Sequence, residues 1–324
     1  MVIGYYVHHV GAGHLTRAAL VAGSLRSRGH EVVLLGSNLG PEEGVVLPRD
    51  DAGDGPWVDP TASGALHWLP MADAGTRARM SRVAEWVVER APDVVVVDVS
   101  VEVTLLLRLL GVPTLVVAQP GERDDPPHQL AYRCATAVLA PWPHIVRPCA
   151  SLRDHAAKVT YTGGISRVAA SEVVRPVARS VGVVLGGRDV GLGDAVTERL
   201  RRAVPALPWV EAGGCRWVDD IGGTLATAAV VVTHAGQNAV ADVAAAGVPA
   251  VVVPSPRPHR EQELMAAELA HLGLAVALPP GVGVDVPWAR LVADARGAPP
   301  RWWMWRTEGA VERAADLVER VARG

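Results

Sequence analysis

The stretch VVVTHAGQNAVADVAAAGVP, Val230 to Pro249, decides the fold. Four β-branched residues run unbroken into His234 and Gly236, and a helical pattern then extends from Gln237 to Ala246 before Gly247 and Pro249 stop it. A continuous apolar run followed by a tight turn and a helix is the repeating unit of a parallel sheet buried on both faces. The helix starting at Gln237 aims its N-terminus at the carboxyl edge of that sheet, where free N–H groups and the positive end of the dipole suit a diphosphate. Asp242, further along the same helix, is placed to take both hydroxyls of a ribose. The alternative is an ordinary strand-turn-helix unit with a solvated aspartate.

The same rhythm extends in both directions. SVGVVLGG, a helix over 194–203 and PAVVVP surround the deciding stretch. In the N-terminal half VIGYYVHHV, a helix over 14–28, EVVLLG, PDVVVVD, a helix over 101–110 and PTLVVA repeat the alternation. Between the halves YTGGISRVAASEVVRPVAR, Tyr161 to Arg179, carries glycines, a proline and no clear strand. The fold class is therefore α/β, with two Rossmann-like doubly wound parallel-sheet domains. Residues 1–162 form the first domain, 163–179 the linker and 180–304 the second domain. Residues 305–324 form a terminal helix, patterned from Glu308 to Arg323, that returns to the N-terminal domain. Trp302, Trp303 and Trp305 precede this helix and either anchor it or face a membrane. The loop from Gly40 to Gly64, rich in Gly, Pro and Asp, reads as mobile.

Composition narrows the function. The 324 residues suffice for two cores, and 49% hydrophobic with 20% charged residues suits a globular protein. The formal charge is −3, Lys158 is the only lysine, and no basic run offers a nucleic-acid footprint. Cys134, Cys149 and Cys215 are far apart and odd in number, so neither a disulfide framework nor a zinc site is expected. No stretch has the form of a signal peptide or a membrane span, which points to the cytoplasm with membrane contact at most peripheral.

Three further segments carry chemistry. GAGHLTR, Gly11 to Arg17, follows the first strand, and its glycines Gly11 and Gly13 permit a tight turn and close ligand approach. His14 lies there at the carboxyl edge of the sheet as a catalytic base or as a capping residue. Asp98 ends PDVVVVD at the same edge. It either orients an imidazole, as in a catalytic dyad, or caps the helix beginning near Ser100. HREQ, His259 to Gln262, opens the next helix after VVVPSPRP with a carboxylate and an amide able to bond sugar hydroxyls.

Together these segments resemble the GT-B glycosyltransferases, and among them glycosyltransferase family 28, the MurG-like group. WVDDIGGTLATAAVVVTHAG, Trp217 to Gly236, and the spacing onward to Gln262 carry the likeness. The resemblance implies a UDP-sugar co-substrate, such as a UDP-GlcNAc-like donor, and no cofactor. It places Trp217 and Val218 at the uracil. His234, Gly236 and the amides of Gln237, Asn238 and Ala239 fall at the diphosphate, Asp242 at the ribose, and Glu261 with Gln262 at the donor sugar. Gly186 and Gly187 match the glycine turn after the first donor-domain strand, while GAGHLTR, with Arg17, matches the N-terminal glycine loop. His14 becomes the base and Asp98 its partner. Ala266 replaces the family's usual Asn and Asp242 its commoner Glu, so the donor sugar is less fixed than the nucleotide. The N-terminal loop lacks the longer glycine run and proline of the lipid-linked muropeptide enzymes, so that acceptor is not implied.

The expected reaction is inverting transfer to a hydroxyl of a small-molecule or lipid-linked acceptor. The sequence contains no Asp-x-Asp triplet, so no metal requirement is expected. Acceptor contacts are expected from 37–64 and 119–128, which carry Trp57, Arg123 and His128. Closure of the two domains about 161–179 would exclude water. Two rivals share the pattern: a nucleotide-sugar hydrolase of the pseudaminic acid pathway type, and a nucleotide-sugar-binding protein without catalysis. A sizeable acceptor pocket favours transfer over hydrolysis.

Overall fold

The computed structural model describes all residues except 10–11, 52–54, 147–149, 169–178, 187–191, 193, 214–217, 219 and 299. Gly11, Gly187, Trp217, Cys149, Cys215 and much of the expected linker lie outside the described residues.

The first domain alternates β1 (Val2–Val7), α1 (Ala12–Ser27), β2 (Glu31–Gly36), β3 (Gly44–Val46), α2 (Ala74–Arg90), β4 (Val94–Asp98), α3 (Val101–Leu109), β5 (Thr114–Val117), α4 (Pro126–Cys134), β6 (Ala137–Ala140) and β7 (Val159–Tyr161). Its strands form one parallel sheet in the order β3-β2-β1-β4-β5-β6-β7. The second domain contains β8 (Val181–Gly186), α5 (Asp194–Ala203), β9 (Trp209–Gly213), α6 (Ile221–Ala226), β10 (Ala228–Thr233), α7 (Gln237–Ala246), β11 (Ala250–Val252), α8 (Glu261–His271), β12 (Val276–Ala277) and α9 (Trp288–Gly297). Its five strands run in the order β12-β11-β10-β8-β9, again all parallel.

Strand order reverses beside β1 in the first sheet and beside β8 in the second. Loops leaving the carboxyl ends of adjacent strands diverge there and open a crevice. In the N-domain this point lies between β1 and β4, with Val7 in register with Asp98. In the C-domain it lies between β8 and β10, with Leu185 beside Thr233. The glycine loop with His14, Asp98, and the His234–Gly236 turn therefore leave the two sheets at their switch points, while the 259–262 segment follows β11 one strand further out.

The terminal helix α10 (Ala310–Arg323) returns to the first domain. Ala314, Ala315, Leu317 and Val318 enter the core made by Ile3, Tyr5, Val94, Val96 and Leu115. Truncating Leu317 to Ala would cost about 2–5 kcal/mol, the usual range for a buried leucine. Trp302 and Trp305 are buried at the start of this crossing and Trp303 alone is 78% exposed. The Trp302 Nε1–H donates to the Val248 carbonyl at 2.8 Å, so two of the three tryptophans anchor the crossover. Among the described residues, no helix is long and apolar enough to cross a membrane.

Some details depart from the sequence reading. The first strand stops at Val7, because His8 and His9 turn into the crevice. The loop expected over 40–64 contains the edge strand β3.

Candidate active site

His14 and Arg17 are three residues apart on α1 and so share one helix face. Both point at Asp98, which is fully buried at the end of β4. His14 Nδ1 lies 2.8 Å from Asp98 Oδ1. Arg17 donates to both carboxylate oxygens, through Nε at 2.9 Å and through a terminal nitrogen at 2.6 Å. The Tyr5 hydroxyl approaches Oδ2 at 3.4 Å. Burial opposes ionisation of Asp98, but the charges and hydrogen bonds of Arg17 and His14 outweigh it and hold the carboxyl well below the usual range. An ionised Asp98 accepts only, so Nδ1 of His14 faces it as an N–H donor, and Nε2 is the ring nitrogen left for another partner. Arg17 was placed in the glycine loop by sequence, but its pairing with Asp98 was not foreseen.

Capping of α3 falls to Ser100, whose hydroxyl accepts from Val103 N at 3.2 Å. Asp98 is therefore not the helix cap. Val99 has φ 64, an outlying conformation for a β-branched residue. This turn directs the chain away from β4 directly after the aspartate.

Across the cleft, α7 begins at Gly236 without a side-chain cap. A Cβ at Gly236 would lie 2.5 Å from the His234 ring, so only glycine fits beneath that imidazole. The Gly236 N–H donates to His234 Nδ1 at 3.0 Å. Burial, then the charge of Arg257, push His234 down to about 4, so the ring is neutral and its proton sits on Nε2. His234 thus presents an N–H donor beside the free end of α7. Gln262 is 4% exposed and stands behind this ring, accepting from Ser255 N at 3.0 Å, with Nε2 3.5 Å from His234 Nδ1.

The two helix starts meet directly. Arg17 donates to Gln237 Oε1 at 3.2 Å, and Asn238 Nδ2 donates to the Gly13 carbonyl at 2.8 Å. Gln237 Nε2 is buried with no partner among the described residues. Glu261, at the start of α8, faces the N-domain and accepts from Arg123 at 3.2 Å. Gly121, with φ 113, allows the N-domain loop to pass against the C-domain, since a Cβ there would lie 2.5 Å from the His259 carbonyl. Glu122 N donates to that carbonyl at 2.8 Å.

Asp242 is 1% exposed and points back into the domain junction. Its Oδ1 accepts from the Ser166 hydroxyl at 2.8 Å and Arg167 N at 3.2 Å, and its Oδ2 from Arg167 Nε at 2.9 Å. Val218 packs against the core that spans both domains. Ala239 is buried in the first turn of α7, and Gly186 ends β8.

Sequence reasoning missed most of the N-domain wall. His8, His9, His67, Trp68, Asp50, Asp51 and Glu102 line a cavity together with Arg123, Gln119 and His128. Trp57 packs edge-on against Trp68 at 5.2 Å between ring centroids instead of lining it. His67, Asp125, His128 and His259 bring their ligand atoms within 4.8 Å of one another, close enough to hold an ion. Their contacts work against that use: His128 is held between Asp125 at 2.6 Å and Arg123 at 3.0 Å, a cation where a metal would sit.

Residues 204–280 match the glycosyltransferase family 28 C-terminal domain. A relative from Halorhodospira halophila, a UDP-N-acetylglucosamine--N-acetylmuramyl-(pentapeptide) pyrophosphoryl-undecaprenol N-acetylglucosamine transferase, is 29% identical over 96% of both chains. The protein of the same name from Corynebacterium diphtheriae is 27% identical over 82% of this chain and 80% of its own. Among solved structures, the kitacinnamycin glycosyltransferase superposes with a TM-score of 0.68 at 19% identity, covering 99% of this chain and 98% of its own. Acinetobacter baumannii MurG superposes with a TM-score of 0.61 at 19% identity, covering 98% and 99%. With that domain in its second half and the two facing sheets around the crevice, the chain is a nucleotide-sugar glycosyltransferase of the GT-B fold that resembles family 28.

Proposed function

We propose that the protein transfers a sugar, with inversion and without a metal, from a UDP-sugar of the UDP-N-acetylglucosamine kind to a hydroxyl of an acceptor held by the N-terminal domain. The observation that carries this reading is the meeting of the His14–Asp98 pair with the uncapped start of α7 across one crevice. His14 Nε2 takes the acceptor proton as the acceptor oxygen attacks the anomeric carbon. The bond from that carbon to the diphosphate breaks with its electron pair leaving on UDP. The developing charge is met by the amides at the start of α7, the Nε2–H of His234 and Gln237 Nε2. Uracil lies near Val218, and Glu261 meets the donor sugar, while Gln262 acts through His234 by holding its ring. The ribose reaches Asp242 when the 166–167 segment yields one of its hydrogen bonds. The enzyme works in the cytoplasm, touching a membrane at most peripherally.

A cavity in the N-domain gives an acceptor room and supports transfer over hydrolysis. The test is calorimetric titration of UDP in EDTA with wild type and His234→Ala. We expect metal-free binding that the substitution weakens about 10-fold, the value of one charge-assisted hydrogen bond. Binding that depends on added Mg²⁺, or that ignores the substitution, would overturn the assignment.

A further inference from the structure

The N-domain cavity has a volume of about 320 Å³, at the small end of the range for ligand sites. Its body is apolar and aromatic, with Tyr6, Trp68, Met80, Val99, Val116 and Tyr132 on its walls. It reaches the reaction centre through His8, whose ring centroid is 5.7 Å from that of His14. A molecule lying in it would have one end beside the free nitrogen of His14.

The polar groups of this cavity select by charge. Asp50, Asp51 and Glu102 line it. Arg123, the one guanidinium in the described lining, is committed to Gln119, the Pro120 carbonyl, His128 and Glu261. Arg79 lies wholly buried behind the wall, donating to the Tyr6 hydroxyl, Ser37 and the Pro48 carbonyl, with Asp50 3.5 Å away. Burial holds His8 and His128 down to about 3, so neither adds positive charge at neutral pH. A phosphate or carboxylate entering here would be desolvated opposite three acids with no uncommitted cation to receive it.

One polar pair indicates what the ligand brings. His9 Nε2 lies 3.2 Å from Asp51 Oδ2, and hydrogen bonding to Arg49 holds Asp51 down to about 2. The contact with Asp51 leaves the second ring nitrogen, Nδ1, to find another partner. His9 is 8% exposed, and this Nδ1 is buried without a hydrogen-bond partner. It faces Asp50 Oδ1 at 3.7 Å, an oxygen that also has none. At 3.7 Å the two atoms are beyond hydrogen-bond reach of each other, and leaving both buried and unsatisfied is costly, which favours a ligand group that bonds to the two at once.

We infer that the acceptor is a compact, largely apolar, hydroxylated molecule without phosphate or carboxylate groups, seated in this cavity with a hydroxyl between His9 Nδ1 and Asp50 Oδ1. The inference rests on the N-terminal half being the acceptor side. It separates this chain from the pyrophosphoryl-undecaprenol chemistry in the names of its relatives.

The test titrates the full chain calorimetrically with three probes: 17β-estradiol, its anionic 3-sulfate, and farnesyl diphosphate. UDP is titrated in parallel. Estradiol is expected to bind at least about 10-fold tighter than either anion, a difference of about 1.4 kcal/mol. Ala131→Trp fills the cavity and is expected to remove estradiol binding while UDP binding persists. Asp51→Lys alters a partly exposed side chain and is expected to narrow the gap between estradiol and farnesyl diphosphate, which keeps the test standing if the first variant does not fold. Farnesyl diphosphate binding as tightly as estradiol, or estradiol failing to bind to a protein that binds UDP, would overturn the proposal. Loss of UDP binding alone would overturn the donor reading and leave this one standing.

Discussion

Each domain buries an aspartate against an arginine, Asp98 against Arg17 and Asp242 against Arg167, and the two pairs behave in opposite ways. Asp98 and Asp242 are 0% and 1% exposed, so both pay a comparable desolvation cost. Asp98 receives two hydrogen bonds from Arg17, itself 3% exposed, and a third from His14. Asp242 is met by Arg167, whose side chain is 26% exposed, by the Ser166 hydroxyl and by one backbone N–H. Compensation exceeds burial at Asp98, whose carboxyl is held down, and falls short of it at Asp242, whose carboxyl is pushed up by burial despite Arg167. A fully compensated carboxylate stays ionised and fixes the tautomer of its histidine. An under-compensated one has room for a further donor, and ribose hydroxyls are donors.

The sharpest break in this comparison is His14→Ala, which removes the group that Asp98 serves. Turnover is expected to fall by about 10²–10⁴-fold, the span for a lost general base. UDP affinity should stay at its wild-type value, because the nucleotide contacts proposed above lie in the C-terminal domain. Steady-state kinetics beside a UDP titration checks both, and equal losses in turnover and UDP binding would return His14 to a structural role.

Asp98→Asn tests the other half of the pair. The amide leaves Arg17 buried without a counter-charge, and breaking a buried pair from one side costs about 3–5 kcal/mol. Chemical denaturation should show that loss, whereas Asp242→Asn, beside a more exposed arginine, should lose much less. Equal losses would mean that the two sites are compensated alike.

Much of this was legible in the sequence because it depended on local pattern. The start and end of α7 follow from a β-branched run, Gly236 and Gly247, and the reading of 237–246 coincides with the helix. His14 and Asp98 were legible because the carboxyl edge of a parallel sheet is a property of strand order. The Arg17–Asp98 bond left a weak trace, since three-residue spacing from His14 puts both on one face of α1. What the sequence could not disclose are partners brought from afar by tertiary packing. Arg167 reaches Asp242 across 75 positions, and Gln262 turns inward to His234 across 28. The cavity wall is assembled from loop residues such as His9, Asp50 and Trp68, which follow no helical or strand period.

The finest discrimination between the two aspartates comes from acid titration of stability. Asp98 has a folded value below its ordinary 3.8. Its contribution is complete above the unfolded value and is lost as pH falls from there toward the folded one. Asp242 has a folded value above 3.8, so the folded state binds its proton more readily than the unfolded chain. Its ionisation therefore costs stability as pH rises from the unfolded value through the folded one, and protonation relieves that cost on the acid side. Stability measured by denaturant melts at a series of pH values between about 3 and 6 should fall less steeply toward acid in Asp98→Asn than in wild type. In Asp242→Asn it should fall more steeply, because the group that opposed the trend is gone. Parallel curves for the two variants would show that both carboxylates are compensated to the same degree, and the assignment of one to orienting His14 and the other to exchanging partners would lose its physical basis.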